Sequence, residues 1–164
     1  MVDNIFVTKP TLPPLEEFEP YLREIWKNKT LTNNGPFHAQ LERELANYLG
    51  VPYVSLFNNG TVALVTALKA LVPTGEVITT PFSFVATSHA ILWNGLTPVF
   101  VDIEADSFNI DPIEIEKAIS KKTKAISFID YGGNPSNIDK ILEIGKKHKI
   151  PILQDGAQSL GGIY

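Results

Sequence analysis

Cysteine is absent from the 164 residues, which excludes a disulfide framework, thiolate nucleophiles and zinc sites built on sulfur, and is compatible with a reducing compartment. Histidine is scarce. The three present, His38, His89 and His148, have neither metal-ligand spacing nor an evident acidic partner, so packing or surface roles are expected of them and no metal site. Positive charge is in deficit: 14 Lys and Arg stand against 18 Asp and Glu, a formal net charge of -4. That balance supplies no general field for a nucleic-acid backbone, and an anionic ligand would need a local site. No apolar run approaches the roughly 20 residues that span a bilayer. The opening Met1-Val2-Asp3-Asn4-Ile5-Phe6 also lacks the basic and then apolar pattern of a secretory leader, so a soluble cytoplasmic protein without membrane contact is expected. Repeats and low-complexity segments are missing as well.

What is present is an ordinary globular composition, 44% hydrophobic and 20% charged, in a chain long enough for one core. Pro10, Pro13 and Pro14 block helix formation and predict an extended arm from Met1 to about Pro14. Leu15, Phe18, Leu22, Ile25 and Trp26 have helical spacing and predict a helix to Lys27. After the polar stretch Asn28 to Pro36, Leu41, Leu45 and Tyr48 predict a second helix over 37–49, stopped by Gly50. The rhythm then changes. Apolar runs at 53–57, 76–80, 97–103, 124–129 and 151–154 read as strands, and helices are expected over 62–71, 83–93, from Asp111-Pro112-Ile113-Glu114 onward, and over 137–149. In the third of these starts, Asp111 would cap the helix, with Pro112 at its first position and Glu114 as the reciprocal acid. Near-continuous apolar strands alternating with helices specify an α/β fold, a mostly parallel sheet flanked by helices.

Ligands of such sheets collect beyond the carboxyl ends of the strands, and three unusual segments fall there. Asn59-Gly60-Thr61-Val62 joins a strand to a helix, so its N–H groups and the Thr61 hydroxyl could cradle a phosphate. A plain glycine turn with a threonine N-cap is the alternative, and the glycine spacing of dinucleotide folds and P-loops is missing. In Thr80-Pro81-Phe82-Ser83-Phe84, an aromatic, Phe84 by preference, could lie flat on a planar heterocycle, unless both rings are core packing. In Gln154-Asp155-Gly156-Ala157-Gln158, a carboxylate at a strand exit could pair with a protonated pyridine nitrogen, or merely cap the next turn. Gln158 could donate to a phenolic oxygen, and Ala157 is small enough for a ring to lie against it. Taken jointly, cradle, ring and carboxylate are the parts of a pyridoxal 5'-phosphate (PLP) site. Asp102 and Asp130, also near strand ends, could touch a ligand, though loop solvation is the simpler reading of both.

The residues that carry these parts also carry a resemblance. Leu31-Thr32-Asn33-Asn34-Gly35-Pro36, Phe57-Asn58-Asn59-Gly60-Thr61-Val62-Ala63-Leu64, Glu76 through Thr87, Pro98 through Ile103 and Asp155 through Gly161 resemble the N-terminal part of the DegT/DnrJ/EryC1/StrS sugar aminotransferases. The resemblance implies the PLP-dependent transferase (aspartate aminotransferase-like) fold, with an N-terminal arm and helix over 1–36 and part of the PLP-binding large domain over 37–164. It implies that Gly60 and Thr61 hold the cofactor phosphate, Phe84 stacks on the ring, Asp155 pairs with the ring nitrogen as the catalytic carboxylate and Gln158 meets the ring hydroxyl. It further implies a nucleotide-sugar substrate, an amino-acid donor such as glutamate, and a homodimer. The opening half resembles family members that aminate C4 of a dTDP-linked 4-keto-6-deoxy sugar. Gly156 departs from the family's alanine at that place. The Schiff-base lysine is expected beyond Tyr164, which leaves Lys121, Lys122, Lys124, Lys146, Lys147 and Lys149 as solvated charges and predicts little transamination by the chain alone. Two alternatives remain at this level: a PLP-dependent sugar dehydratase, and a non-catalytic piece that binds a nucleotide sugar.

Overall fold

The structure is a computed structural model and describes residues 8–164. The chain divides into two compact units, Met1–Ser55 and Leu56–Tyr164.

The first unit holds two helices, α1 (Leu15–Asn28) and α2 (Pro36–Leu49). Residues 8–14 form no regular element, and the rest of the expected arm, 1–7, lies outside the described residues. Pro20 sits inside α1, where its missing N–H removes one helical hydrogen bond. Left-handed residues end both helices: the Lys29 N–H bonds the Ile25 carbonyl, and Gly50 closes α2 at φ 64°. Pro36 opens α2 at its first position, where its fixed φ suits a helix and its absent donor is not missed. Tyr21 meets Phe37 edge to face at 5.3 Å between ring centres. Neither helix buries a residue fully.

The second unit is a parallel sheet covered on both faces. Its elements are α3 (Gly60–Leu71), β1 (Glu76–Thr79), α4 (Val85–Trp93), β2 (Thr97–Phe100), α5 (Pro112–Ala118), β3 (Thr123–Ile129), α6 (Ile138–His148) and β4 (Ile152–Asp155). The strand order is β2-β1-β3-β4, every pair parallel, with Ile78 beside Ile126 and Ile129 beside Asp155. Side chains alternate between the two faces of each strand, so two cores form. Val77 and Ala125, with Leu153 against them, pack under Leu68, Ala90 and Ile91 of α3 and α4. Ile78, Ile126 and Phe128 pack under Ile115, Ile141 and Ile144 of α5 and α6. Full burial of each such Val, Leu, Ile or Phe side chain stabilises by about 1.5–3 kcal/mol. The α6 layer sits close: a β-carbon on Gly145 would lie 2.6 Å from Ile152 Cδ1.

Three sequence expectations need correction. Residues 53–57 form no strand, because a strand exists only where a ladder edge pairs with it, and neither β2 nor β4 does so here. The apolar run 97–103 ends as a strand at Phe100; Ile103 instead forms an isolated antiparallel bridge with Ile110. Asp111 does cap α5, accepting from the Ile113 N–H at 2.7 Å, but Glu114 does not reach back to complete a capping box and bonds Lys117 at 2.6 Å.

Candidate active site

Helix α3 leads into β1 and packs against β4, so it runs antiparallel to the strands and opens at their carboxyl rim. Asn59, in extended conformation, caps it: its side-chain oxygen accepts from the Val62 N–H at 3.0 Å. Capping by Asn59 relieves Thr61 of that task, contrary to the plain-cap alternative. Among the described residues no protein group bonds the Gly60 N–H, the Thr61 N–H or the Thr61 hydroxyl. Two unpartnered amides and the positive end of the α3 dipole thus share one helix end, with the unpartnered Thr61 hydroxyl on the same turn, an arrangement suited to an anion. Nothing stands within 4 Å of where a Gly60 β-carbon would be, so the approach to these amides is open.

Phe84 precedes α4 and is 71% exposed. It is not core. Phe82 turns instead into a half-exposed aromatic cluster, 4.6 Å from Tyr131 and 6.0 Å from Phe108 between ring centres. Of the two rings, Phe84 is therefore the one left unengaged.

Asp155 ends β4. It shares the parity of Leu153, which packs on the α3 and α4 core, so its side chain faces the α3 side of the sheet. One carboxylate oxygen accepts from the Ala157 N–H at 3.0 Å; the other has no protein partner among the described residues. Thr79 and Ser127 share the parity of Val77 and Ala125 and so the same face, and their buried hydroxyls have no hydrogen-bond partner. Thr79 is the last residue of β1, directly at the rim. Gln158 accepts from the Gly132 N–H through Oε1 at 2.6 Å. That bond fixes the orientation of its amide, and the NH2 end is left to donate outward.

Behind this rim lies a residue that the sequence reading placed in solvent. Asp130 is 2% exposed. Its Oδ1 accepts from the Ser136 N–H at 3.0 Å, and its Oδ2 accepts from Gln154 Nε2 at 2.6 Å and Ser159 Oγ at 2.8 Å. Burial pushes its carboxyl up, but bonds from the Ser136 backbone and from the side chains of Ser159, Ser136 and Gln154 outweigh that and hold it below its ordinary value of 3.8. Asp102, by contrast, is exposed and turns back to the Ile103 N–H at 2.8 Å.

The histidines need a correction as well. His148 Nε2 lies 2.9 Å from Glu116 Oε1, which also takes Lys147, and His38 Nδ1 lies 3.9 Å from Glu42. The side-chain bonds from Lys147 and His148 lower the Glu116 pKa from its ordinary 4.5. Among the described residues no cluster of His, Asp and Glu could hold a metal, and no helix is long and apolar enough to cross a membrane.

Residues 15–164 match the DegT/DnrJ/EryC1/StrS aminotransferase family. The chain is 59% identical over 158 residues to a dTDP-4-amino-4,6-dideoxy-D-glucose transaminase of Escherichia coli, covering 96% of this chain and 43% of that one. It is 55% identical over 161 residues to the transaminase of the same name from Shigella dysenteriae, covering 98% and 44%. It therefore spans about two-fifths of the length of these relatives. Among solved structures it superposes on NtdA of Bacillus subtilis with bound cofactor PMP at a TM-score of 0.86 and 33% identity, covering 98% of this chain and 39% of that one.

Proposed function

Because the chain belongs to the DegT/DnrJ/EryC1/StrS aminotransferase family, we propose that it carries the cofactor-binding part of a PLP-dependent nucleotide-sugar aminotransferase. In this reading the whole protein moves an amino group from an amino-acid donor, glutamate, to a dTDP-4-keto-6-deoxy sugar, in the service of polysaccharide or secondary-metabolite sugar synthesis. The observation that carries the reading is the convergence on one rim and one sheet face of the open α3 N-terminus and the half-free Asp155 carboxylate. The residues fit the group. The Gly60 and Thr61 N–H groups and the Thr61 hydroxyl would hold its phosphate, and Phe84 would cover one face of the ring and exclude water. Asp155 would keep the proton on the ring nitrogen, and the outward NH2 of Gln158 would donate to the ring hydroxyl. When bound, the protonated ring serves as a sink for electrons released at the substrate carbon.

The residues from 37 onward are the piece of the cofactor-binding domain in this reading. In this reading the protein works in the cytoplasm, with which a chain free of cysteine is compatible, and acts as a homodimer. Large apolar side chains left exposed on α3 and α4, Val62, Leu71, Val85, Leu92 and Trp93, support the dimer.

Pyridoxamine 5'-phosphate (PMP) is held without a covalent link to lysine, so it tests the site in the 164-residue chain. Calorimetric titration should detect binding. Asp155→Ala and Thr61→Val should each weaken it roughly 10-fold or more, the loss expected of one hydrogen bond to a charged group. Equal affinity in Asp155→Ala and the parent chain would refute the assignment.

A further inference from the structure

We propose that Asp130 is the positioning residue of the cofactor-facing turn 155–158, gripping it from the opposite face of the sheet. The inference rests on the reading that Asp155 and Gln158 meet the cofactor. Asp130 follows β3 and shares the parity of Phe128, which packs under α5 and α6. Asp155 shares the parity of Leu153, on the other side. The two carboxylates therefore lie on opposite faces at neighbouring strand ends, joined by a backbone bond from the Asp130 N–H to the Asp155 carbonyl at 3.3 Å.

The grip falls on both flanks of the turn. Gln154, immediately before Asp155, and Ser159, immediately after Gln158, donate to the same oxygen, Asp130 Oδ2. The other oxygen is tied to Ser136, two residues before α6. Residues that follow Asp130 extend the hold. The Gly132 N–H fixes the Gln158 amide, and Gly133, at φ 79°, passes so near that a β-carbon there would lie 2.8 Å from the Gln158 carbonyl oxygen. Within the turn itself only local bonds remain, Ala157 N–H to Asp155 and Ser159 N–H to the Gly156 carbonyl.

Two of the three partners of the Asp130 side chain, the Gln154 NH2 and the Ser136 backbone N–H, can only donate and so need an acceptor, and the Ser159 hydroxyl donates to it as well. An ionised carboxylate meets that demand with two acceptor oxygens; an asparagine turns a donor toward at least one of them. The structure thus assigns the charge at position 130 to fixing where the Asp155 carboxylate and the Gln158 amide point.

The test uses the 164-residue chain with PMP labelled with 15N in its ring. Two readouts are taken: hydrogen exchange of the Ala157 and Gly132 amides without ligand, and affinity together with the ring 15N shift with ligand. Asp130→Asn should speed exchange at both amides and weaken PMP roughly 10-fold or more, the scale seen when groups that orient a ligand-contacting residue are removed. It should also move the ring 15N signal of the remaining bound ligand toward the unprotonated position, which a loss of folding alone does not do. Unchanged exchange, or weakened binding with an unmoved ring signal, overturns the proposal. Faster exchange in a chain whose parent binds no PMP overturns the cofactor reading and this inference with it, whereas parent binding that depends on Asp155 but not on Asp130 overturns this inference alone. Should Asp130→Asn fail to fold, Ser159→Ala and Ser159→Thr decide: Ala should weaken PMP and move the ring signal while Thr, which keeps the hydroxyl, should not. Identical behaviour of the two overturns it.

Discussion

At the scale of single residues, polar groups here are defined by partners distant in sequence. Asp130 is the clearest case: besides the nearby Ser136 N–H, its donors lie 24 and 29 residues downstream, at Gln154 and Ser159. No local pattern reveals that, which is why an aspartate after a strand reads as solvated. The same blindness hid the acid beside His148, since Glu116 sits 32 residues earlier on another helix. Asp155 and Gln158, in contrast, were legible as candidates because they combine a strand exit with a short fixed spacing. The depressed Asp130 pKa has a consequence for stability. Its carboxylate form is favoured in the folded chain, so the stabilisation is fully present above the ordinary value of 3.8 and is lost as pH falls through the lower folded value. Asp130→Asn should therefore cost about 2–3 kcal/mol at neutral pH. Urea titrations should show that gap narrowing only below the ordinary carboxylate range. A gap that is constant from neutral pH down to strong acid would contradict the assigned ionisation.

At the scale of elements, every helix expected from periodicity is present, with ends displaced by a residue or two where caps decide them. Helix α3 begins at Gly60 because Asn59 accepts from Val62, and α6 begins after Asn137, which accepts from the Lys140 N–H at 3.3 Å. The expected strand over 53–57 failed for a physical reason. Apolar content marks a segment as able to pair, but pairing is a property of two segments, and only one of them is written at that place in the sequence. The Asn59 cap links stability to ligand binding. Asn59→Ala should destabilise the chain by about 1 kcal/mol and weaken PMP as well, because the first turn that presents Gly60 and Thr61 would fray. Circular-dichroism melts and PMP titration on the same sample check both halves; a destabilised variant with undiminished affinity would detach the phosphate from α3.

At the scale of the whole molecule, the balance between core and surface is uneven. The sheet unit has two well-filled cores, whereas neither helix of the first unit is fully buried anywhere, and Trp26, Leu31, Phe84 and Trp93 are all more than half exposed. Scattered apolar side chains are ordinary on a protein surface, but large aromatics on successive elements mark surfaces that associate. The chain should elute and scatter light as more than a monomer at micromolar concentration. A strictly monomeric profile across a hundredfold concentration range would count against that expectation.

The anchorage of Asp130 on Ser136 has a bearing on how such enzymes can be altered. The layer formed by α5 and α6 holds none of the groups offered to the ligand, and a protein engineer would treat it as filler, free to be trimmed, swapped or repacked. Yet the turn that carries Asp155 is moored to the approach of α6. Remodelling that remote layer is thus expected to blur the chemistry on the far side before it harms solubility or folding.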